Sequence, residues 1–280
     1  MAKYITEDDI ETAVLDKLSH PDFGYDIIKC DPDPNKREDL HDGTGRSSKK
    51  ECVLPCILKA SLVKINPHIP ESIIDDVVKT LTRNFTETDI VATNYDLYNK
   101  IRNQIKVKVR RNGRDDFDFV KLVDFDTPTN NTFTAVSQMW IQGKLYWRRP
   151  DVLVFVNGLP LVFIELKNSV VKVEEAYNKN LQDYIKDIPN LFAFNQICVL
   201  SNGLETRLGA FNATYDYFFE WLKVDSEKEK PNRADIRDGG VSIAYFIDGL
   251  LKKERLIDYV ENFVLFDNHK YKIIAKNHQY

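Results

Sequence analysis

Two apolar runs on either side of Asn157-Gly158 constrain the fold of this chain more than any other feature. Val152 to Val156 precede the dipeptide, and Leu161 to Leu166 follow it. Asn-Gly between two such runs is a strong local signal of a β-hairpin, so the runs are predicted to be antiparallel strands. Charged side chains occur only at the outer ends, which a hairpin brings together: Asp151, Glu165 and Lys167.

The length of the turn decides whether the two carboxylates share a face of the hairpin. A strict two-residue turn pairs Val156 with Leu159. It sets Asp151 opposite Ile164, so that Asp151 and Glu165 point to opposite faces. One additional residue in the connection shifts the pairing and sets Asp151 opposite Glu165. If the two carboxylates act together, we therefore expect an odd-length loop or a β-bulge.

The chemistry that this group of residues could carry is metal-assisted hydrolysis of a phosphodiester. Two carboxylates a few ångströms apart repel each other, and a divalent cation relieves that repulsion. Oxygen ligands suit Mg²⁺ or Mn²⁺ rather than zinc, and a bound metal activates water and stabilises charge on a phosphate. A neighbouring lysine can orient the attacking water or help to deprotonate it. The alternative is an edge hairpin whose ends carry ordinary solubilising charges.

Elsewhere the sequence predicts alternating helices and strands. Helices are predicted over Val53 to Lys64, Ile73 to Leu81 and Glu174 to Ile185. Further strands are predicted over Gln104 to Arg111, Phe117 to Phe125, Phe133 to Ile141 and Gln196 to Leu200. The polar segment from Cys30 to Lys50 is predicted to be a mobile loop.

One face of the strand that begins at Gln104 carries Lys106, Lys108 and Arg110. A cationic strand face is typical of a solvated edge that discourages aggregation. A surface that follows a phosphate backbone is the alternative.

Pro150-Asp151 followed by Glu165-x-Lys167 resembles the PD-(D/E)xK nuclease motif. The longer stretch RRPDVLVFVNGLPLVFIELKN, residues 148–168, resembles the restriction (R) subunit of type I restriction–modification enzymes. The similarity extends over effectively the whole chain. Further segments that look like that family's nuclease region are Asn66 to Pro70, Val123 to Pro128 with Asn131, Pro189 to Phe192 and Val199 to Gly203.

The resemblance implies an α/β fold with a PD-(D/E)xK restriction-endonuclease-like core, in which helices flank a central mixed β-sheet. It also implies a Mg²⁺-dependent endonuclease, with Mn²⁺ as a substitute, that cleaves double-stranded DNA without sequence selectivity of its own. By the same resemblance Asp151, Glu165 and the Leu166 carbonyl would bind the metal, and Lys167 would be the catalytic lysine.

Two further groups of residues are predicted to assist. The family carries a Gln-x-x-x-Tyr motif on the following helix, and here Tyr184 agrees whereas Asn180 stands in place of the glutamine. Lys144, Arg148 and Arg149 lie just before the motif and are predicted to contact DNA phosphates. A surface pair flanking a strand is the alternative for the two arginines.

The domain prediction combines the resemblance with a change in composition, because the chain becomes charged and poor in apolar residues from Asp225 to Gly240. It gives a mainly helical region over 1–104, the nuclease core over 105–224, a linker over 225–240 and a helical segment over 241–280. Residues Ile273 to Tyr280 resemble the start of the family's ATP-driven translocase. We therefore expect helicase-like motor domains, a methylase subunit and a specificity subunit as partners. ATP would be used only in the full-length subunit.

Charge and hydropathy limit the partners. The chain holds 39 basic and 43 acidic residues, a net charge of −4, so bulk charge does not favour nucleic acid. Residues 140–210 have a different charge balance from the whole chain, because they hold eight basic and seven acidic residues. The start lacks an apolar signal segment and no apolar run approaches the ~20 residues of a membrane helix. A cytoplasmic protein without a membrane partner is expected.

Three functions remain in competition at this stage. The leading one is a metal-dependent DNA endonuclease domain that depends on its partner subunits. A docking module of the restriction complex, catalytically silent alone, is the second. The third is a stand-alone repair or defence nuclease, which the translocase-like ending at Tyr280 argues against.

Overall fold

The computed structural model describes residues 4–85, 89–111, 113–226, 228–230, 234, 236 and 242–280. Its centre is a mixed seven-stranded sheet with the order β1-β4-β7-β8-β9-β10-β11. The strands are β1 (Asp26–Lys29), β4 (Phe133–Ser137), β7 (Val152–Val156), β8 (Leu159–Leu166), β9 (Ile197–Ser201), β10 (Thr206–Gly209) and β11 (Phe219–Glu220). The pairs β1–β4 and β8–β9 are parallel, and the other neighbours are antiparallel.

Helices cover both faces of the sheet, as the α/β prediction requires. The buried side chains that the structure describes form two hydrophobic clusters. The sheet separates them because successive residues of a strand point to opposite faces: Val152, Val154 and Val156 contribute to one cluster and Leu153 and Phe155 to the other. The helices are α1 (Glu7–Ser19), α2 (Pro55–Ile65), α3 (Glu71–Leu81), α4 (Ile90–Asn103), α5 (Val173–Glu175), α6 (Gln182–Asp187), α7 (Ser242–Leu250) and α8 (Lys253–Asn262). A π-helical stretch, Ala176–Leu181, joins α5 to α6.

The β7–β8 hairpin combines a two-residue turn with a bulge. Val156 pairs with Leu159 and Phe155 with Pro160, but Val154 pairs with Val162. The register therefore shifts between Val154 and Phe155, and Leu161 is the extra residue on β8. This confirms that the hairpin departs from a strict two-residue register, as joint action of the carboxylates requires.

The turn itself is buried at the end of the hairpin remote from Asp151. Asn157 and Gly158 both have positive φ, at 50° and 80°, which matches the turn that an Asn-Gly dipeptide favours. A side chain at Gly158 would place its Cβ 2.7 Å from the Leu54 carbonyl oxygen. The Asn157 amide also donates to the Leu122 carbonyl at 2.9 Å. Contacts with neighbouring segments therefore favour asparagine at the first turn position and glycine at the second.

Within the described ranges, three smaller two-stranded sheets accompany the central one. They pair β2 (Ile105–Arg111) with β3 (Arg114–Val120), β5 (Ile141–Gln142) with β6 (Trp147–Arg148), and β12 (Val264–Asp267) with β13 (Tyr271–Ile274). The predicted cationic face is present on β2, where Lys106, Lys108 and Arg110 are all exposed. The predicted strand over Phe133 to Ile141 is broken, because Gln138 adopts a positive φ after β4 ends.

The first strand of the central sheet comes from the region predicted to be mainly helical. Asp26–Lys29 pairs in parallel with β4, so residues before 105 contribute to the sheet as well as to the helices around it.

The segment after β1, predicted to be a mobile loop, is held by buried ion pairs. Asp42 accepts hydrogen bonds from Arg46 at 2.8 Å and from Lys49 at 2.6 Å.

The prediction of a helical segment over 241–280 is wrong beyond Asn262. From Val264 the chain forms a β-hairpin, because β-branched and aromatic residues are frequent there and Asn268 and His269 adopt the positive φ of a tight turn. Buried Lys272 fixes this hairpin to the core through the side chains of Asn94 and Gln196.

The predicted linker over 225–240 lies largely outside the described residues. Among the described helices, none has the length and apolar character needed to cross a bilayer.

Candidate active site

The bulge places the two motif carboxylates on one face of the sheet. Val152 pairs with Ile164, and the same register continued by one residue sets Asp151 directly opposite Glu165. The Leu166 backbone N–H donates to Asp151 Oδ2 at 2.7 Å, which joins the two strand ends. The structure therefore brings together the carboxylates that the sequence predicted to act as a pair.

Glu165 is a buried acid with an incomplete set of partners. Only 2% of the residue is exposed, and Lys167 Nζ lies 3.1 Å from its Oε1. Its Oε2 is buried and accepts no hydrogen bond from the residues that the structure describes. Burial raises the pKa of Glu165 well above its ordinary value, and the neighbouring charge of Asp151 raises it further. A buried acceptor without a donor is costly, and in native proteins a bound water, an ion or a catalytic role accounts for it.

Asp151 is perturbed in the same direction. Burial raises its pKa to about 6, although the Leu166 N–H and the charge of Lys167 act against the shift. Two carboxyl groups with raised pKa values beside one lysine are typical of a functional site.

Lys167 lies between carboxylates. Its Nζ donates to the Leu166 carbonyl at 2.7 Å, contacts Glu165 and lies 3.9 Å from Glu7 Oε1. Burial lowers the pKa of Lys167, but the charge and hydrogen bond of Glu165 outweigh burial, so the pKa is raised overall. The side chain is therefore an ammonium ion at neutral pH in the metal-free protein.

The N-terminal helix supplies acids that the sequence did not place at the site. Glu7 lies in the first turn of α1, whose capping box is formed by Thr6 and Asp9. One turn further along α1, Glu11 accepts a short hydrogen bond from Gln138, whose Nε2 also lies 3.5 Å from Asp151 Oδ1. The sequence shows acids in a capped helix, a common pattern at any helix N-terminus, and nothing in it predicts that this helix reaches the hairpin.

The donor set fits a hydrated divalent cation in character. Among the described residues no three His, Cys, Asp or Glu side chains form a group that could hold a metal by themselves. Mg²⁺ does not require such a group, because it usually keeps several waters and binds through one or two carboxylates. The orphaned Glu165 Oε2 and the raised pKa of Asp151 are features that a cation would relieve. The Leu166 carbonyl, the third predicted ligand, is bound by Lys167 Nζ in this structure.

The helper positions lie on the helix that follows β8. Tyr184 is buried on α6 and its hydroxyl donates to the Arg149 carbonyl at 3.1 Å. Burial raises the pKa of Tyr184, and the charges of Glu165 and Asp151 raise it further. Asn180 lies in the π-helical stretch, an irregularity that is frequent at functional sites.

The predicted DNA-contacting residues have different surroundings. Arg148 binds Asp187 at 2.8 Å through Nε and Asp183 at 3.0 Å through Nη2. Arg149 stacks over the Trp140 ring and donates to the Pro32 carbonyl.

Lys144 is exposed at the connection between β5 and β6, next to Leu145 and Tyr146, of which 80% and 56% are exposed. The two arginines thus take part in intramolecular contacts, whereas Lys144 faces solvent. The DNA-binding assignment of all three residues stays a prediction.

Comparison with known proteins identifies similar sequences. A family model described as the type I restriction enzyme R protein N terminus matches residues 4–217. The chain is 35% identical to the type I restriction enzyme HindI endonuclease subunit of Haemophilus influenzae, in an alignment covering 99% of the chain and 26% of that relative. It is 31% identical to a putative type I restriction enzyme MjaIXP endonuclease subunit of Methanocaldococcus jannaschii, over 97% of the chain and 26% of the relative. The chain thus spans about a quarter of the length of these two relatives.

Proposed function

Because the chain belongs to the family of type I restriction enzyme R protein N termini, we propose that it is a metal-dependent DNA endonuclease domain. The proposed substrate is the phosphodiester backbone of double-stranded DNA, cleaved without sequence selectivity of its own. The observation that carries the proposal is the bulge in the β7–β8 hairpin, which sets Asp151 opposite Glu165 beside Lys167.

Mg²⁺ is the proposed cofactor, with Mn²⁺ as a substitute. Asp151 and Glu165 would hold it, together with the Leu166 carbonyl once Lys167 turns away from that oxygen. When bound, the metal would lower the pKa of a coordinated water and stabilise negative charge on the phosphate.

The proposed role of Lys167 follows from its charge. Its raised pKa keeps it protonated beside Glu165, so it can donate hydrogen bonds to the attacking water or to a phosphate oxygen. Its positive charge would also offset the charge that accumulates in the transition state. Tyr184 would help by fixing the Arg149 carbonyl, two residues before Asp151.

The partners proposed for the chain follow from its place in the family. They are double-stranded DNA, methylase and specificity subunits and helicase-like motor domains of the full-length subunit, where ATP would be used. The two relatives described above are named endonuclease subunits and are about four times as long as this chain. A second candidate function is therefore a docking module that is catalytically silent alone.

Calorimetric titration with Mn²⁺ tests the metal site directly. We expect the wild-type chain to bind Mn²⁺ and the double variant Asp151→Ala/Glu165→Ala to lose that binding. Asp126→Ala serves as the control, because the Asp126 side chain is 85% exposed and pairs with Lys121. Equal Mn²⁺ binding by the wild type and the double variant contradicts the assignment.

Plasmid nicking separates the two candidate functions. Nicking with Mg²⁺ or Mn²⁺ that is lost in both Asp151→Ala and Lys167→Ala supports catalysis within this chain. If the wild type binds Mn²⁺ yet does not nick supercoiled plasmid, the docking function is favoured over catalysis by the isolated chain.

A further inference from the structure

We propose that Gln138 is a positioning residue of the candidate active site, and that its side-chain amide holds Asp151 and Glu11 in a fixed relation. Gln138 follows directly after β4, which pairs with β7 and so lies beside the strand that Asp151 precedes. The inference rests on the metal-dependent function proposed above and adds a residue to it.

The backbone of Gln138 is in a conformation that few side chains adopt. Its φ is +56°, in the left-handed region that is unfavourable for residues other than glycine. Its N–H donates to the Asp151 carbonyl at 3.0 Å. Backbone strain of this kind persists only where surrounding contacts impose it, and it is concentrated at functional sites. Here the strained residue is bonded to the main chain of a proposed metal ligand.

The side chain of Gln138 joins two acids from different elements. Its Nε2 donates to Glu11 Oε2 on α1 and lies 3.5 Å from Asp151 Oδ1. Only the nitrogen of an amide can donate to carboxylates, so this pair of acceptors determines how the amide is oriented. A neutral donor between the two acids keeps them close without adding charge.

The other end of the amide has no partner among the residues described. Gln138 Oε1 is buried and accepts no hydrogen bond from them, and Glu165 Oε2 is in the same situation. A buried acceptor without a donor is unfavourable, because it loses the hydrogen bonds that water gives it in the unfolded chain. Two such oxygens flank Asp151, one on the residue beside it and one on the residue opposite, and each is an acceptor open to a donor that the described residues do not supply. A hydrated divalent cation supplies such donors through its waters.

The experiment measures the affinity for Mn²⁺ by calorimetry, independently of cleavage. Gln138→Met has similar length and volume but no amide, and we expect its Kd to rise about 10- to 100-fold, as for other residues that orient metal ligands. Gln138→Gly removes the same side chain and relieves the left-handed strain. It therefore tests the same role if the Met variant does not fold. We expect the same rise in Kd for both, with the near-ultraviolet circular dichroism of the wild type.

The control is Gln182→Met, which makes the same exchange at an exposed position on α6 and should keep the wild-type Kd. Wild-type Kd values in both Gln138 variants would overturn the positioning role while leaving the proposed metal site intact. Absence of Mn²⁺ binding by the wild-type chain would overturn the proposed function, and this inference with it.

Discussion

Glu7 and Asn168 bind each other across 161 positions of the sequence. The Glu7 N–H donates to Asn168 Oδ1 at 3.0 Å, and Asn168 Nδ2 lies 3.4 Å from Glu7 Oε1. Asn168 follows Lys167 directly, so this contact fixes the start of α1 against the end of the motif. It also accounts for the 3.9 Å distance between Glu7 Oε1 and Lys167 Nζ.

Asn168→Ala is expected to destabilise the fold by about 1–2 kcal/mol, because a partly buried backbone N–H loses its acceptor. Urea denaturation followed by circular dichroism measures the change. Asn262→Ala is the control. Among the described residues, the exposed Asn262 side chain donates only to Asp258 of the same helix. A loss equal to that of the control would show that the Glu7–Asn168 contact contributes nothing.

Asp151→Asn is expected to change how stability depends on pH. The folded-state pKa of Asp151 is about 6 against an ordinary value of 3.8, so the folded chain holds more protons than the unfolded chain in that interval. The free energy of unfolding of the metal-free protein should therefore fall as pH rises from about 4 to about 6, by roughly 1–3 kcal/mol. Denaturation in EDTA across this range should show a shallower fall for Asp151→Asn. An identical slope in both proteins would contradict the buried, perturbed carboxyl.

Glu165→Gln is expected to abolish the stabilisation of the protein by Mg²⁺. The variant also removes the carboxylate that pairs with the largely buried Lys167 at 3.1 Å, so the metal-free protein should be less stable by about 1–3 kcal/mol. Mg²⁺ should stabilise the wild type and not the variant, because only binding to the folded state raises the free energy of unfolding. Thermal denaturation with and without Mg²⁺ measures both effects. The exposed exchange Glu38→Gln should leave the response to Mg²⁺ unchanged.

Lys144→Gln is expected to weaken DNA binding, whereas Arg148→Gln is expected to lower the stability of the fold. Lys144 is exposed, so its loss should weaken binding to duplex DNA and reduce the slope of log K against log salt by about 0.9. Arg148 neutralises Asp187, whose side chain is only 6% exposed, so Arg148→Gln should instead lower stability by about 1–3 kcal/mol. Fluorescence anisotropy in EDTA and urea denaturation measure the two quantities. Lys79→Gln, on the exposed side of α3, should change neither.

Much of this site could be predicted from local sequence. The Asn-Gly turn and the apolar runs predict the hairpin, and the strand period requires a bulge or longer loop if Asp151 and Glu165 are to meet. The position of the bulge could not be predicted. It lies at Leu161, in an apolar run where any residue could be the extra one, and its place depends on how β8 fits between β7 and β9.

Contacts between distant segments were beyond sequence reasoning. Glu7, Glu11 and Gln138 reach the carboxylates only because α1 packs against the sheet and β4 lies beside β7. The polar composition around Asp42 was likewise typical of a mobile loop, yet the charges there are paired and buried. Composition gives the number of charged residues in a segment. Whether those residues are buried depends on whether they form ion pairs, which composition does not show.

The bulge at Leu161 also restricts how this hairpin can change in length. Thirteen residues separate Asp151 from Glu165, an odd number, whereas a regular hairpin with a two-residue turn places an even number between paired residues. Inserting or deleting a single residue between them would turn one carboxylate to the other face, unless a second irregularity compensated. Changes of two residues would preserve the arrangement, so length variation in this hairpin should occur in even steps.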